Sequence, residues 1–446
     1  MKALLASALL LIPCFWQSRI QAGDLSSHVY NAWLARLVAQ GQAPGLSLVH
    51  LNTNILFDWM LSAMPERLAV AIAVLIFFWG SFAFVSKASG APAWGMAPVI
   101  GMLAYGWVFH MGFFNFYISL GLSFAALALA WDWNPKLYAA AAALLAVAWL
   151  AHALPVAFVI ALLAYKFLMR RHLLVLSLMA IIVVRLAASA RFRTQWFASQ
   201  ILSATALDQV WVFDSKYGVV ILGLLLIWVF ALVLAIKANK LSAIPLHFCV
   251  LTSFGLLVLP SEVLLPNYKH SLAFIADRMS LALGICICAL LAGSMNRRMQ
   301  HYLTGVVVLV FAALLFRDQH AFNEIEDRMQ KLVATLPPKQ RVIAAIQTPS
   351  MRVNMLTHMI DRLCVGRCFS YANYEPSTAQ FRVRVDGPNG IVAPTYGESW
   401  ALQGGRYIVR STDLPLYEIV LDKHGEMSII QPTAGMQSAV SFWEPL

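Results

Sequence analysis

Between two apolar segments the chain reads GDLSSHVYNAW, residues 23–33, which sets Asp24, His28, Tyr30 and Asn31 within about two helical turns. A carboxylate and an imidazole in such a stretch are residue types that move protons. The phenol and amide are types that hydrogen-bond a polar substrate. More groups of this kind recur at intervals along the chain. His50, Asn52, Asn54 and Asp58 follow in the same loop, His110 and Asn115 flank FHMGFFNFY, and His152 marks AHALP. Arg185, Arg191, Arg193, Asp208, Asp214 and Lys216 form a fourth group, and Glu262, Asn267, Lys269, His270, Asp277 and Arg278 a fifth. Ionisable groups beside membrane-like segments are costly, so they are functional candidates by default. Arg278, supported by Lys269 and His270, has the chemistry to hold an anion.

The elements that carry these groups follow from composition. The 446 residues are 60% hydrophobic and 12% charged, about half the charge of an ordinary soluble domain, where the fraction is about 25%. Apolar runs at 3–17, 67–86, 94–110, 114–131, 137–151, 154–168, 173–190, 217–236, 243–262, 279–295 and 301–316 predict about eleven membrane helices. The net charge of +11 does not point to nucleic acid, because Lys and Arg gather in short loops beside the apolar runs. With the N-terminus in the cytoplasm, the inner loops receive Lys2, Lys87, Lys136, Lys166, Arg170, Arg171, Lys237, Lys240, Arg297 and Arg298, as positive-inside requires. Outer loops then hold most of the eleven histidines and nearly all the candidate groups. The first segment has the length of a signal peptide, but RIQA is a poor cleavage site, so it is expected to be retained.

From Ser27 to Gln40 the apolar residues Val29, Trp33, Leu34, Leu37 and Val38 recur at helical spacing, and Gly41 is a natural stop. This helix, within 24–41, is too short and polar to span. It is expected to lie along the outer interface with Trp33 at headgroup depth. Asp24 is either its cap or a free carboxylate on the rim. The chain thus divides into a transmembrane part, 1–317, and a C-terminal exported part, 318–446. In the latter, FRVRV (381–385), YIVRS (407–411) and YEIVL (417–421) read as strands separated by turn signals, giving a small α+β domain. Cys364 and Cys368 are close enough in sequence to bridge if the backbone allows, and an exported location permits it.

Asp24 at the outer end of the first membrane helix, Tyr30, Leu37 and Gly41 along the helix after it, and Asn54 and Asp58 before the second membrane helix resemble the GT-C glycosyltransferase superfamily. The resemblance covers the first 60 or so residues, and helix number and a C-terminal exported domain extend it in architecture only. It implies a bacterial inner-membrane, inverting enzyme that moves sugar from a polyprenyl-phosphate donor to a glycan, lipid or protein acceptor at the periplasmic face, within the lipid bilayer and without nucleic acid. Asp24 would be the general base. Arg278 and Lys269 would hold phosphate, with His270 in support. His28, Tyr30, Asn31, His50, Asn54, His110, Asn115 and His152 would line the substrate cavity. Asp24 is followed by Leu25, Ser26 and Ser27 rather than by a second acid. This departure favours a metal-independent mechanism over a divalent-metal one, with no cofactor beyond the lipid-linked sugar. Two other classes compete: a transporter or flippase of an envelope lipid or glycan, and a non-catalytic scaffold whose exported domain binds a partner. The first predicts charged residues deep in helices, which the sequence hardly offers. The second predicts that Asp24→Asn changes nothing.

Overall fold

The computed structural model describes residues 1–132, 134–168, 172–239, 241–266, 269, 271–294, 298–422 and 424–444. His270, Arg170, Arg171, Lys240 and Arg297 lie outside them. The described chain is mostly helical. It begins with α1 (Lys2–Phe15), α2 (Leu25–Ala39), the short strand β1 (Leu46–Leu48), α3 (Leu56–Ala63) and α4 (Glu66–Ser89). Next come α5 (Ala97–Ala104), α6 (Trp107–Met111), α7 (Phe114–Leu129), α8 (Pro135–Ala151), α9 (Ala153–Leu168) and α10 (Leu173–Arg191). Strand β2 (Arg193–Gln195) and α11 (Gln200–Ser203) precede α12 (Gly218–Lys237), α13 (Ala243–Val258), β3 (Glu262–Leu264), α14 (Ile275–Leu291) and α15 (Arg298–Val333).

Five stretches, Glu66–Ser89, Leu173–Arg191, Ser215–Lys237, Ile275–Ser294 and Arg298–Val333, are long and apolar enough to cross a membrane. The other expected segments form shorter apolar helices. The expected helix 94–110 is broken into α5 and α6 at Tyr105 and Gly106. The 137–168 region is two helices, because His152 is extended, with φ −165° and ψ 130°. At the centre of the bundle α4 and α7 touch backbone to backbone. A Cβ on Gly80 would stand 1.9 Å from the Gly121 carbonyl oxygen. That approach lets Phe77 stack on Tyr117 and Phe84 on Phe124, at 4.4 and 5.0 Å between ring centroids. Small residues at the crossing are how apolar helices gain dispersion contacts.

Two expectations about the C-terminal part are corrected. There is no break at 317/318, because α15 continues to Val333. Phe322, Ile325, Met329 and Val333 keep a buried face at helical spacing, while the polar residues between them find partners. Asp318 takes Lys216 and the Tyr217 hydroxyl, Gln319 takes Trp16, and Asn323 takes Ser18. Hydropathy ends at residue 316, but the helix does not. Likewise YIVRS (407–411) is not a strand. Only Ile408 bridges, to Gln437, and the neighbouring backbone bonds run to the irregular 436–438 turn.

After α15 the chain forms β4 (Arg341–Ala344), β5 (Ile346–Gln347), α16 (Met359–Cys364), β6 (Phe369–Ser370), α17 (Glu375–Thr378) and β7 (Val383–Val385). It closes with α18 (Tyr396–Gln403), β8 (Leu416–Leu421), β9 (Met427–Ile430) and β10 (Ser441–Phe442). The main sheet runs β6-β4-β8-β9, with β4 parallel to both neighbours and β8–β9 an antiparallel hairpin. Cys364 and Cys368 are disulfide-bonded. Strand β7 pairs antiparallel with β1, Leu46 opposite Val385, tying the tail to the first loop.

That tie changes the reading of α2. Instead of lying exposed on a surface, α2 is sandwiched between α3 and α16, with Leu25 to His28, Tyr30 to Ala32, Leu34 and Ala35 buried apart from the half-buried Val29 and Trp33. Trp33 packs against Phe369 of β6. The weak amphipathic pattern at 27–40 reflects a helix covered on more than one side.

Candidate functional site

Asp24 is fixed by the backbone before its side chain acts. Gly23 N–H donates to the His110 carbonyl at 2.7 Å and Asp24 N–H to that of Met111 at 2.9 Å, so the start of α2 is stitched to the end of α6. The next residue, Gly112, has φ +85°, and a Cβ there would stand 2.7 Å from Asp24 N. Glycine is what that approach requires. Asp24 is the residue before α2, yet its carboxylate makes no capping bond. It is 22% exposed, and its Oδ1 lies 3.8 Å from Nε2 of His358.

One turn further on, His28 Nδ1 stands 3.5 Å from Asp58 and 3.9 Å from Glu375. Burial works against a charge on this ring, but Asp58, Glu375 and Asp24 outweigh it and raise its pKa to about 9. Glu375 is also pushed up, to about 7, by burial that His28 only partly offsets. Its Oε1 accepts from the Ser27 hydroxyl at 2.9 Å. Asn31 donates to Ser27 and, at 3.2 Å, to Asn373, and it borders a small recess with Asp58, Glu375 and Arg382. Tyr30 is placed differently. It is fully buried, and its hydroxyl accepts the Ser370 N–H at 3.1 Å, so it docks α2 on β6.

Arg278 sits in the first turn of α14 with its guanidinium 4.1 Å above the Phe113 ring. Among the described residues no carboxylate lies within ion-pair distance of it, and its buried Nε has no hydrogen-bond partner. Its sequence neighbour Asp277 is committed elsewhere, to Arg352 at 3.2 Å and the Ser261 hydroxyl. The charges that reach Arg278 through space are Asp24 first, then Tyr374 and Asp277. Arg278 in turn acts on His152. A desolvated guanidinium with no fixed counter-ion is equipped to take an anionic ligand.

The remaining expected residues divide. Lys269 reaches the tail, donating to the Ser377 carbonyl at 3.2 Å. His152 Nδ1 accepts from Leu154 N–H, and its ring meets Phe116 edge-on. His110 is fully buried with both nitrogens engaged, by the Gly106 carbonyl and by Gln319. Asn115 accepts the Phe57 N–H at 2.8 Å and so tethers the start of α3. His50 is exposed, and Asn54 turns the chain at φ +57°. No hydrogen bond or ion pair links either to Asp24.

Sequence reasoning missed the half of the cluster supplied by the tail: His358, Asp361, Asn373, Tyr374 and Glu375. His358 Nδ1 bonds Asp361, and Asn373 links Asp361 to Ser27. The one local signal was two ionisable residues a helical turn apart in HMID. Among the described residues no group of three His, Cys, Asp or Glu side chains is arranged to hold a metal ion. No family model, curated protein or solved structure matches the chain.

Proposed function

We propose that the chain is a GT-C-like membrane glycosyltransferase that moves a sugar from a polyprenyl-phosphate donor to an acceptor hydroxyl at the outer face of a bacterial inner membrane. The observation that carries this reading is that two charged groups without a fixed bond to each other fall in one neighbourhood. A carboxylate that caps nothing and a guanidinium that pairs with nothing act on each other at the rim of one apolar bundle.

In this reading Asp24 takes the acceptor hydroxyl proton as the oxygen attacks the anomeric carbon from the face opposite the phosphate. The carbon–oxygen bond to phosphate breaks with its electron pair on the leaving group, and Arg278 compensates that charge. An open groove on the α13–α14 face, lined by Val250, Phe254, Leu257, Leu283 and Ile287, offers apolar surface of the kind a lipid chain takes. The helix α10, with no buried residue and an apolar sequence, belongs in hydrocarbon. Eleven spans, with Lys87, Lys136 and Lys237 at inner ends, put the first loop and the tail outside, where the Cys364–Cys368 bridge is chemically at home.

The test is transfer by the purified full chain in liposomes, using a panel of radiolabelled polyprenyl-phosphate hexoses and pentoses. Asp24→Asn and Arg278→Gln are each expected to lower transfer by about 100-fold or more while thermal unfolding stays unchanged. Full activity in Asp24→Asn overturns the reading.

A further inference from the structure

We infer that His358, braced by Asp361, is the positioning residue of the Asp24 carboxylate, so that the C-terminal segment completes the site that the first loop begins. The inference rests on Asp24 being the base of the proposed transfer.

His358 immediately precedes α16 and is nine-tenths buried. Its Nδ1 lies 3.2 Å from Asp361 Oδ2. Asp361 is itself immobilised, since the same oxygen accepts from Asn373 Nδ2 at 3.0 Å and the other accepts from the Ser370 hydroxyl. With Nδ1–H given to Asp361, only Nε2 remains, and it faces Asp24 Oδ1 at 3.8 Å, within ion-pair range. The Tyr374 ring, 5.3 Å away between centroids, limits rotation of the imidazole. The chain therefore holds one imidazole between two carboxylates, one buried and saturated, the other partly exposed and spared from capping.

The ionisable groups facing the ring come from three places: Asp361 on α16, Asp24 before α2, and Tyr374 and Glu375 at the start of α17. Burial opposes a charge on His358, but Asp361, then Asp24 and Glu375, outweigh it and hold its pKa above the ordinary histidine value. These neighbours favour the cationic form of the ring over that of a free histidine. Through Nε2, 3.8 Å from Oδ1, the ring fixes where the Asp24 carboxylate can point. No proton leaves the ring during the reaction. The acceptor proton goes to Asp24, and His358 holds a constant charge until the pH passes its own pKa.

Two measurements test this. The first is the pH profile of transfer by wild type, His358→Gln and Asp361→Asn. Removing the imidazole 3.8 Å from Asp24 is expected to raise the acid limb by about one pH unit in His358→Gln, with a roughly tenfold lower kcat and an unchanged KM for donor. Asp361→Asn is expected to bring the alkaline limb down. An acid limb that stays put in a folded His358→Gln protein overturns the proposal, since a purely structural role would lower the rate at all pH values alike. The second is the 15N titration of His358 in nanodiscs, assigned by its loss in His358→Gln. Its pKa is expected to fall by about one unit in Asp24→Asn. An unchanged value overturns the pairing whether or not transfer is detected. Coupled titration without transfer by wild type on any donor removes the glycosyltransferase reading and leaves the pair in place.

Discussion

Arg362 grips Glu326 at two points, Nε to Oε1 at 2.9 Å and Nη2 to Oε2 at 2.7 Å, and with its remaining nitrogen reaches Glu66 at 2.7 Å. One guanidinium from α16 thereby fastens the long helix α15, the start of α4 and, through the Ile20 carbonyl, the chain leading to Asp24. Breaking a buried pair by removing one partner typically costs 3–5 kcal/mol, because the other charge stays behind in a low dielectric. Arg362→Met is expected to lower the apparent unfolding temperature sharply and, by loosening the tail, to reduce transfer. Arg362→Met/Glu326→Gln is expected to recover part of the loss, as a double-mutant cycle by differential scanning in detergent would read.

Stability is expected to fall as the pH rises. The native His28, with a pKa of about 9, holds its proton more tightly than the unfolded one at about 6.5. Its contribution is complete below pH 6.5 and lost as the pH passes 9. Glu375, raised to about 7, adds a loss of the same sign between its unfolded value of about 4.5 and pH 7. The native state binds the more protons throughout, so unfolding becomes easier with each unit. The His28 part amounts to at most about 3 kcal/mol. Unfolding temperatures taken from pH 6 to 9 should decline in wild type, and the decline above pH 7 should flatten in His28→Gln.

The α4–α7 crossing admits no side chain. A Cβ on Gly121 would stand 2.6 Å from the Phe77 Cα, an atom that cannot step aside. Gly121→Ala is expected to cost about 1–3 kcal/mol through forced separation of the helices, seen as a lower unfolding temperature with unchanged helical circular dichroism. Gly90→Ala serves as the contrast. A Cβ there meets nothing within 4 Å, and only its φ of +74° opposes the change.

The proposed orientation has a direct readout. His50 and Trp400 are exposed at the end of the molecule that carries Asp24, and Lys136 is exposed at the other. In intact spheroplasts an impermeant maleimide is expected to label His50→Cys and Trp400→Cys but not Lys136→Cys. Labelling of the third alone reverses the orientation and with it the outer-face reading.

The helices were legible because apolar runs announce them, and even the break at His152 was marked by a polar residue before Pro155. Asp24 and Arg278 stood out because a charge beside an apolar segment is expensive. The burial of α2 was not legible. Its partners, Phe369, Ser370 and Asn373, lie far away in sequence, and no local pattern encodes which face a distant segment covers. His358 and Glu375 were invisible for the same reason. They sit in short polar stretches without periodicity, and their meaning arises only when β7 pairs with β1. Tyr30 reads as a ligand group in the sequence, and in the fold its hydroxyl accepts the Ser370 N–H, since a phenol satisfies a buried backbone N–H as readily as a substrate.

The ladder between Leu46–Leu48 and Val383–Val385 also dictates an order of assembly. Strand β1 waits for a segment made much later, and until that moment Tyr30 lacks the Ser370 N–H and Asn31 lacks Asn373. A nascent chain can form every apolar helix and still lack this ladder. The recess among Asn31, Asp58, Glu375 and Arg382 closes only when these two distant strands meet.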